Sequence, residues 1–406
     1  MKSKLLILFV SIIAMLLPSC NHKKDVDNVY SQPETQTQVM AVPEKTEEEK
    51  IVEYRTSFVG CGDNIIYGTK DARKNAVEGG RQFNYKPFYN GVSDIIKDAD
   101  ISFINQETLM CGDGYSLSYY PMFNSPQDAG LDLIDLGYDV VNISNNHMLD
   151  KGADGLAKTI EFWKNQDVLM IGGYENQEDY DNIRVLEKNG LTIAFLSYTY
   201  ATNGLTKSSS SPIVIPYIND EDIIRQTALA RECADMVFVS VHWGDEGSFI
   251  PNDEQKRVAK LFADSGVDVI LGHHPHVIQP VEWLCGVNGN KTLCVYSLGN
   301  FMAQQDYAYN MVGGIIGFDI VHSETTGPYL DNVVFTPTVF HFTGDFYNNN
   351  IYRMEDYTGE LASVHGVKTY YGHSMSYDIL HGYVDKTISP EFLPEYFKEE
   401  EFTQVN

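Results

Sequence analysis

The sequence predicts an α/β fold built on a mostly parallel sheet, and three observations carry that expectation. Short apolar runs of strand type stop abruptly at groups of polar or metal-binding residues, and helix-like segments lie between several of them. From about residue 313 onward, alternating apolar and polar residues predict further strands that complete a sheet. The chain has 406 residues, 43% hydrophobic and 12% aromatic, enough apolar material for one large core or two modest ones. Against 29 Lys and Arg stand 56 Asp and Glu, a net charge of −27. A surface of that sign repels a phosphate backbone, so nucleic-acid recognition through a basic face is excluded.

At the N-terminus, Lys2 and Lys4 precede the apolar run Leu5 to Leu17. That run is shorter than the ~20 residues a bilayer span needs, and it ends in Leu17-Pro18-Ser19-Cys20. Residues 1–19 therefore read as a secretory signal. The ending resembles a bacterial lipobox, which implies lipidation of Cys20 and a lipid-anchored place in the cell envelope, periplasmic or at the outer-membrane surface. Residues 20–53 are polar, acidic and without apolar period, the composition of a disordered tether. Five cysteines follow Cys20 and no CxxC occurs, which argues against a cysteine zinc site. Cys285 and Cys294 face each other if Gly289-Asn290 forms the turn between them, and do not if Asn288-Gly289 does.

The folded body begins near residue 54. Its strand runs are Thr56 to Val59, ending at Gly60-Cys61-Gly62-Asp63-Asn64, and Ile101 to Ile104, ending at Asn105-Gln106-Glu107. Asp139 to Ile143 ends at Ser144-Asn145-Asn146-His147, and Met236 to Val241 ends at His242-Trp243-Gly244-Asp245-Glu246. Val267 to Leu271 ends at Gly272-His273-His274-Pro275-His276, and Leu293 to Tyr296 at Ser297-Leu298-Gly299-Asn300-Phe301. Helical spacing marks Ala153 to Gln166 and Asn252 to Ser265, the latter opened by Asn252 and Gln255 as an N-cap and its N3 partner. A strand is expected over Val333 to Phe342, and the Tyr-rich tail from Asp345 reads as extra strands, short helices or loops. Open α/β sheets bind ligands beyond the carboxyl ends of their strands, so the polar clusters lie where a site belongs.

Collected together, those ends offer Asp63, Glu107, Asn146, His147, His242, His274 and His276. Carboxylate, amide and imidazole in one place suit a transition metal, and a bridging carboxylate can hold two cations about 4 Å apart. A single buried histidine is more often a core residue than a ligand. His-x-His after a strand is a stronger signal, because at period two both imidazoles face one side, and the convergence of five loops is stronger still.

These strings, with Asp150 and Gly152 after Asn145-Asn146-His147, resemble the CapA type of capsule-synthesis protein over about residues 54–345. The resemblance implies a metallophosphoesterase-like β-sandwich flanked by helices in four αββα layers, with residues 346–406 packed on it as an extension. It implies a part in the synthesis, export or processing of an extracellular anionic polymer, poly-γ-glutamate, beside a synthase or export machinery. Glu107 would bridge two metals, Asn146, His242 and His274 completing one site and Asp63 and His276 the other. His147 would be the general acid, oriented by Asp150 or Asp245. The implied cofactor is a divalent ion, Mn, Zn or Fe. The second site is expected to be weaker, because the enzymes' first motif is Asp-x-His and this chain has Asp63-Asn64-Ile65, with Glu107 where their second motif has Asp.

Trp243, Glu246 and Asn300 are candidate substrate contacts, with packing the alternative for Trp243 and orientation of a metal ligand or turn stabilisation the alternatives for Asn300. Ser208 to Ser211 reads as a surface loop or a lid. Hydrolysis by ion-activated water and noncatalytic guidance of a polymer both fit this set. So does a plain metal-dependent phosphoesterase acting on a small or lipid-linked phosphate.

Overall fold

The computed structural model describes residues 52–399 except 69, 76–79 and 324. The expectations for the signal segment, Cys20 and the tether up to residue 51 fall outside the described residues. Fourteen strands are described: β1 (Glu53–Asn64), β2 (Ile101–Gln106), β3 (Val140–Asn142), β4 (Leu169–Ile171), β5 (Arg184–Lys188), β6 (Leu191–Thr199) and β7 (Met236–His242) come first. They are followed by β8 (Val269–His273), β9 (Val281–Cys285), β10 (Lys291–Val295), β11 (Asn300–Met302), β12 (Val312–Ser323), β13 (Tyr329–Thr343) and β14 (Tyr347–Arg353).

The strands form two mixed sheets rather than one. The first has the order β14-β13-β12-β1-β2-β3-β4, with β11 also paired to β1, and the second the order β5-β6-β7-β8-β10-β9. β1 to β4 run parallel, as do β6, β7, β8 and β10. Antiparallel strands flank both parallel sets, β12 to β14 on the first sheet and β5 and β9 on the second.

Side-chain alternation explains how the layers stack. On β7, Phe238 meets Phe58 of β1 edge-on at 5.2 Å between ring centroids, so this face turns toward the other sheet. The alternate residues Val237, Val239 and Val241 pack with Ile223 and Ala230 of the helix Asp220–Cys233 and with Val258 and Phe262 of the helix Asp253–Ser265. A strand so placed is buried on both faces, which is why it reads as a continuous apolar run. The period of two then puts Phe238, Ser240 and His242 on the sheet-to-sheet side. On the outer face of the first sheet, Leu133, Leu156 and Trp163 belong to the helices Gln127–Leu136 and Gly152–Lys164, completing four layers.

Asn252 caps its helix with a reciprocal capping box to Gln255. The tail from residue 346 contributes more than a cover. β14 is an edge strand of the first sheet, and Leu380, Val384 and Phe392 are buried in the same core as Phe58, so the expected boundary at 345 falls inside the β13–β14 turn. Cys285 pairs with Lys291 and Cys294 with Glu282 across β9 and β10, so the two thiols do not face each other and both are free. Among the described residues no helix is long and apolar enough to cross a membrane.

Candidate metal centre

The carboxyl ends of β1, β2 and β3 in one sheet and of β7 and β8 in the other deliver their polar clusters to one buried locus. Close backbone contact holds two of these ends. A Cβ on Gly62 would stand 2.2 Å from the Gly299 carbonyl oxygen, and one on Gly272 would stand 2.0 Å from that of Tyr296, so only glycine fits before Asp63 and before His273. Beyond β8 the chain turns through left-handed backbone at both His274 (φ 98°) and His276 (φ 55°), strain that clusters at functional sites.

Asp63 is fully buried and surrounded by donors. Its Oδ1 accepts from Asn105 Nδ2 at 2.9 Å and lies 3.3 Å from His273 Nδ1. Its Oδ2 accepts from the His274 amide at 3.2 Å and lies 3.0 Å from His276 Nδ1. Burial alone would raise its pKa, but the adjacent imidazoles of His273 and His276 outweigh it and hold the carboxyl well below the usual range. Asn105 is itself fixed from behind: Ser197 Oγ donates to Asn142 Oδ1 at 2.5 Å, and Asn142 Nδ2 donates to Asn105 Oδ1 at 2.7 Å. This buried chain runs from β6 in the second sheet to β1 in the first.

Glu107 has the opposite environment. Neither carboxylate oxygen makes a hydrogen bond, and burial pushes the group well above its ordinary pKa. Oε1 lies 3.8 Å from His242 Nε2 and 3.7 Å from His276 Nε2, between the two imidazoles. Asn146 Oδ1 stands 3.1 Å from the same His242 Nε2. The His274 ring is 4.8 Å from that of His242 and 5.9 Å from that of His276. Burial holds His242 well below its ordinary pKa and, with His276 beside it, pushes His274 down to about 3. His276 is pushed up to about 9, because the charges of Glu107 and Asp63 and the bond to Asp63 outweigh its burial.

Two buried carboxyls and three buried imidazoles with unpartnered Glu107 Oε1 and Oε2, His242 Nδ1 and His274 Nδ1 are costly as they stand. A divalent cation among them would supply the missing partner, and the donor set of oxygen and imidazole nitrogen fits a transition metal. Asp63, Glu107 and His276 each bring a ligand atom within 4.8 Å of the others, as do Glu246, His274 and His276.

His147 Nδ1 is 2.8 Å from Asp150 Oδ2, which also accepts from the Phe123 amide at 2.6 Å, and the imidazole meets the Phe123 ring edge-on. Asp245 is engaged elsewhere, accepting from Asn252 Nδ2 at 2.9 Å. Two of the candidate substrate contacts follow their alternative readings instead. Trp243 does not reach a substrate position: it is 2% exposed, donates from Nε1 to the Tyr296 carbonyl and packs on Tyr296 and Phe262 in the helix-side core. Asn300 is spent inside the protein, its Oδ1 3.1 Å from His276 Nδ1 and its Nδ2 donating to the carbonyls of His276 and Asn310 and to Gln305 Oε1. It holds His276 and has no group left for a ligand. Glu246 is exposed and lines a cavity of about 430 Å³ with His276, Tyr67, Tyr120, Asp306 and Tyr307, a lining without lysine or arginine.

Sequence reasoning missed Asn105, Asn142, Ser197 and His273 as supports of Asp63. It also missed Tyr200, whose ring lies 4.6 Å from that of His274. Tyr200 directly follows β6, and the strand-end rule applied to Leu191–Thr199 would have found it.

The fold is an α/β sandwich of two mixed sheets flanked by helices, with a carboxylate–imidazole cluster at its strand ends. The chain belongs to the family of bacterial capsule synthesis proteins PGA_cap, whose model matches residues 57–305. The PGA biosynthesis protein CapA of Bacillus subtilis (strain 168) is 33% identical over 195 residues, which is 48% of this chain and 50% of that protein. The capsule biosynthesis protein CapA of Bacillus anthracis is 33% identical over 189 residues, 45% of this chain and 44% of that one. The chain thus spans about half the length of the curated relatives it matches. Among solved structures, the calcineurin-like phosphoesterase YfkN of Bacillus subtilis aligns over 82% of this chain and 97% of its own, with 12% identity and a TM-score of 0.41. The NAD nucleotidase NadN of Haemophilus influenzae aligns over 84% and 57%, with 14% identity and a TM-score of 0.44.

Proposed function

We propose that this chain is a lipid-anchored envelope protein that acts in the synthesis, export or processing of an extracellular anionic polymer, poly-γ-glutamate, through a metal centre at its strand ends. The observation that carries the reading is that the family match, residues 57–305, spans every strand end that contributes to the buried carboxylate–imidazole cluster. Glu107, Asn146, His242 and His274 are assigned to one divalent ion, Mn, Zn or Fe, and Asp63 and His276 to a second. A bound ion of this kind supplies Lewis-acid polarisation and water activation near neutral pH. The chain's own residues do the rest: Asp63 is kept ionised by its donors, Asn300 and Asp63 fix the His276 ring, and Asp150 holds His147 with Nε2 free to carry a proton to a leaving group. A net charge of −27 opposes a polyanion, and bound cations at the centre would relieve that repulsion locally.

The test incubates the full chain with poly-γ-glutamate and Mn²⁺ and follows polymer length and co-elution by size-exclusion chromatography. Metal-dependent shortening or co-elution, lost in His242→Ala, is expected; a polymer that stays unbound and unshortened under every metal contradicts the reading. The His147–Asp150 pair favours a second reading, a phosphoesterase for a small or lipid-linked phosphate. Under it, turnover of an aryl phosphate falls about 10²- to 10⁴-fold in His147→Ala with metal content unchanged.

A further inference from the structure

The strand end Asp63-Asn64-Ile65 lacks an imidazole two residues after the aspartate, and Ile65 is instead buried against Phe123 and Ala303. The opposite side of the centre offers a donor that could take its place. Glu246 lies on the short loop after β7, and one of its carboxylate oxygens is within 4.8 Å of a ligand nitrogen on both His274 and His276.

The loop does not hold Glu246 there by chance of exposure. The Gly247 amide donates to the carbonyl of Pro275, the residue between the two histidines, at 2.8 Å. The Ser248 amide closes the loop on the Asp245 carbonyl at 3.2 Å, and the Ser248 carbonyl accepts from Gln279 Nε2 at 2.8 Å. Gln279 is in turn bound by Gln255 Nε2 at 2.7 Å. Gly244 opens the loop with φ 92°, packed so tightly on Gln255 that a Cβ would meet it at 2.7 Å. The segment carrying Glu246 is thereby clamped to the His274-Pro275-His276 turn. Of the two imidazoles it faces, His274 is 3% exposed and its Nδ1 is without a partner.

The geometry points to Glu246 as a ligand of the second cation beside His276, within reach of His274 of the first site, a carboxylate standing in for the imidazole absent at Ile65. Oxygen with two imidazole nitrogens suits Mn, Fe or Zn and disfavours Mg or Ca. The inference rests on the metal-centre reading proposed above, and adds to it a ligand from the β7 loop.

Its test titrates Mn²⁺ into the metal-free full chain by isothermal calorimetry, for the parent, Glu246→Gln and Asp245→Asn. Asp245 is the adjacent exposed acid and is bonded to Asn252, so its variant removes the same charge without removing a ligand. Glu246→Gln is expected to weaken at least one Mn²⁺ binding event by tenfold or more, a loss of the size that even indirect support of a ligand produces, while Asp245→Asn binds as the parent does. Equal binding by the parent and Glu246→Gln overturns the Glu246 assignment and leaves the metal centre standing. Equal weakening in both variants also overturns it, as a charge effect. A parent that binds no Mn²⁺, Zn²⁺ or Fe²⁺ overturns the metal-centre reading itself.

Discussion

Two carboxyls a few ångströms apart behave oppositely because of what surrounds them. Asp63 is satisfied by Asn105, His276 and a backbone amide, whereas Glu107 is buried with no donor on either oxygen. Burial already disfavours the charged form of Glu107, so Glu107→Gln should cost the metal-free protein little stability. The same variant should abolish the rise in melting temperature that a bound ion gives the parent, a stabilisation of about 3 kcal/mol at an ion concentration a hundred times Kd. Differential scanning fluorimetry with and without Mn²⁺ checks both halves; a parent-like metal response in Glu107→Gln would remove Glu107 from the ligand set. The residue types at the centre were legible because each stands directly after an apolar strand run. Their supports were not, since nothing local marks Asn142 or Ser197 as part of a chain that joins through contacts 37 and 55 residues apart. Trp243 misled for a related reason: a strand end supplies residues to both faces, and the alternation that turns His242 toward the centre turns Trp243 into the helix-side core.

At the scale of elements, the parallel strands work as rigid rails whose ends meet. Phe238 lies between the sheets against Phe58, Phe195 and Phe318, and Phe238→Ala should destabilise the protein by about 3–5 kcal/mol through lost burial and the cavity left behind. Asn252→Ala, which removes the side-chain acceptor for the Gln255 amide, should cost about 1 kcal/mol. Urea denaturation measures both, and a smaller loss for Phe238→Ala than for Asn252→Ala would contradict the packing described. The capping box at Asn252 and Gln255 was readable because its two residues sit three apart in a local motif. The partition of strands into two sheets was not, because β1 pairs with β2 and with the far later β11 and β12, the last 250 or more residues on, and no local pattern records that choice. Strand β4 has three residues, too few for periodicity to separate it from a loop.

For the whole molecule, stability should depend on pH through histidines remote from the centre. His365 accepts from the Val367 amide at Nδ1 and donates from Nε2 to the Phe340 carbonyl, which fixes it neutral; burial pushes its pKa down to about 3, and that of neighbouring His341 to about 4. Unfolded histidines take up protons from about pH 6.5 downward while these two stay neutral in the fold. The stability they permit is therefore full above pH ~6.5 and falls as pH drops toward 4, by on the order of 1 kcal/mol per group per pH unit. Urea denaturation between pH 7 and 4.5 should show a shallower slope in His341→Phe than in the parent, and identical slopes would contradict the assignment. At this scale the family match and the buried cluster coincide, and the metal centre is the claim on which the functional reading turns. Elemental analysis of the full chain, prepared with Mn, Zn and Fe available and compared with His242→Ala and His274→Ala, tests it most directly. The parent should carry a bound transition metal that falls in both variants, while the same metal content in all three, or none in the parent, would contradict a metal centre at these strand ends.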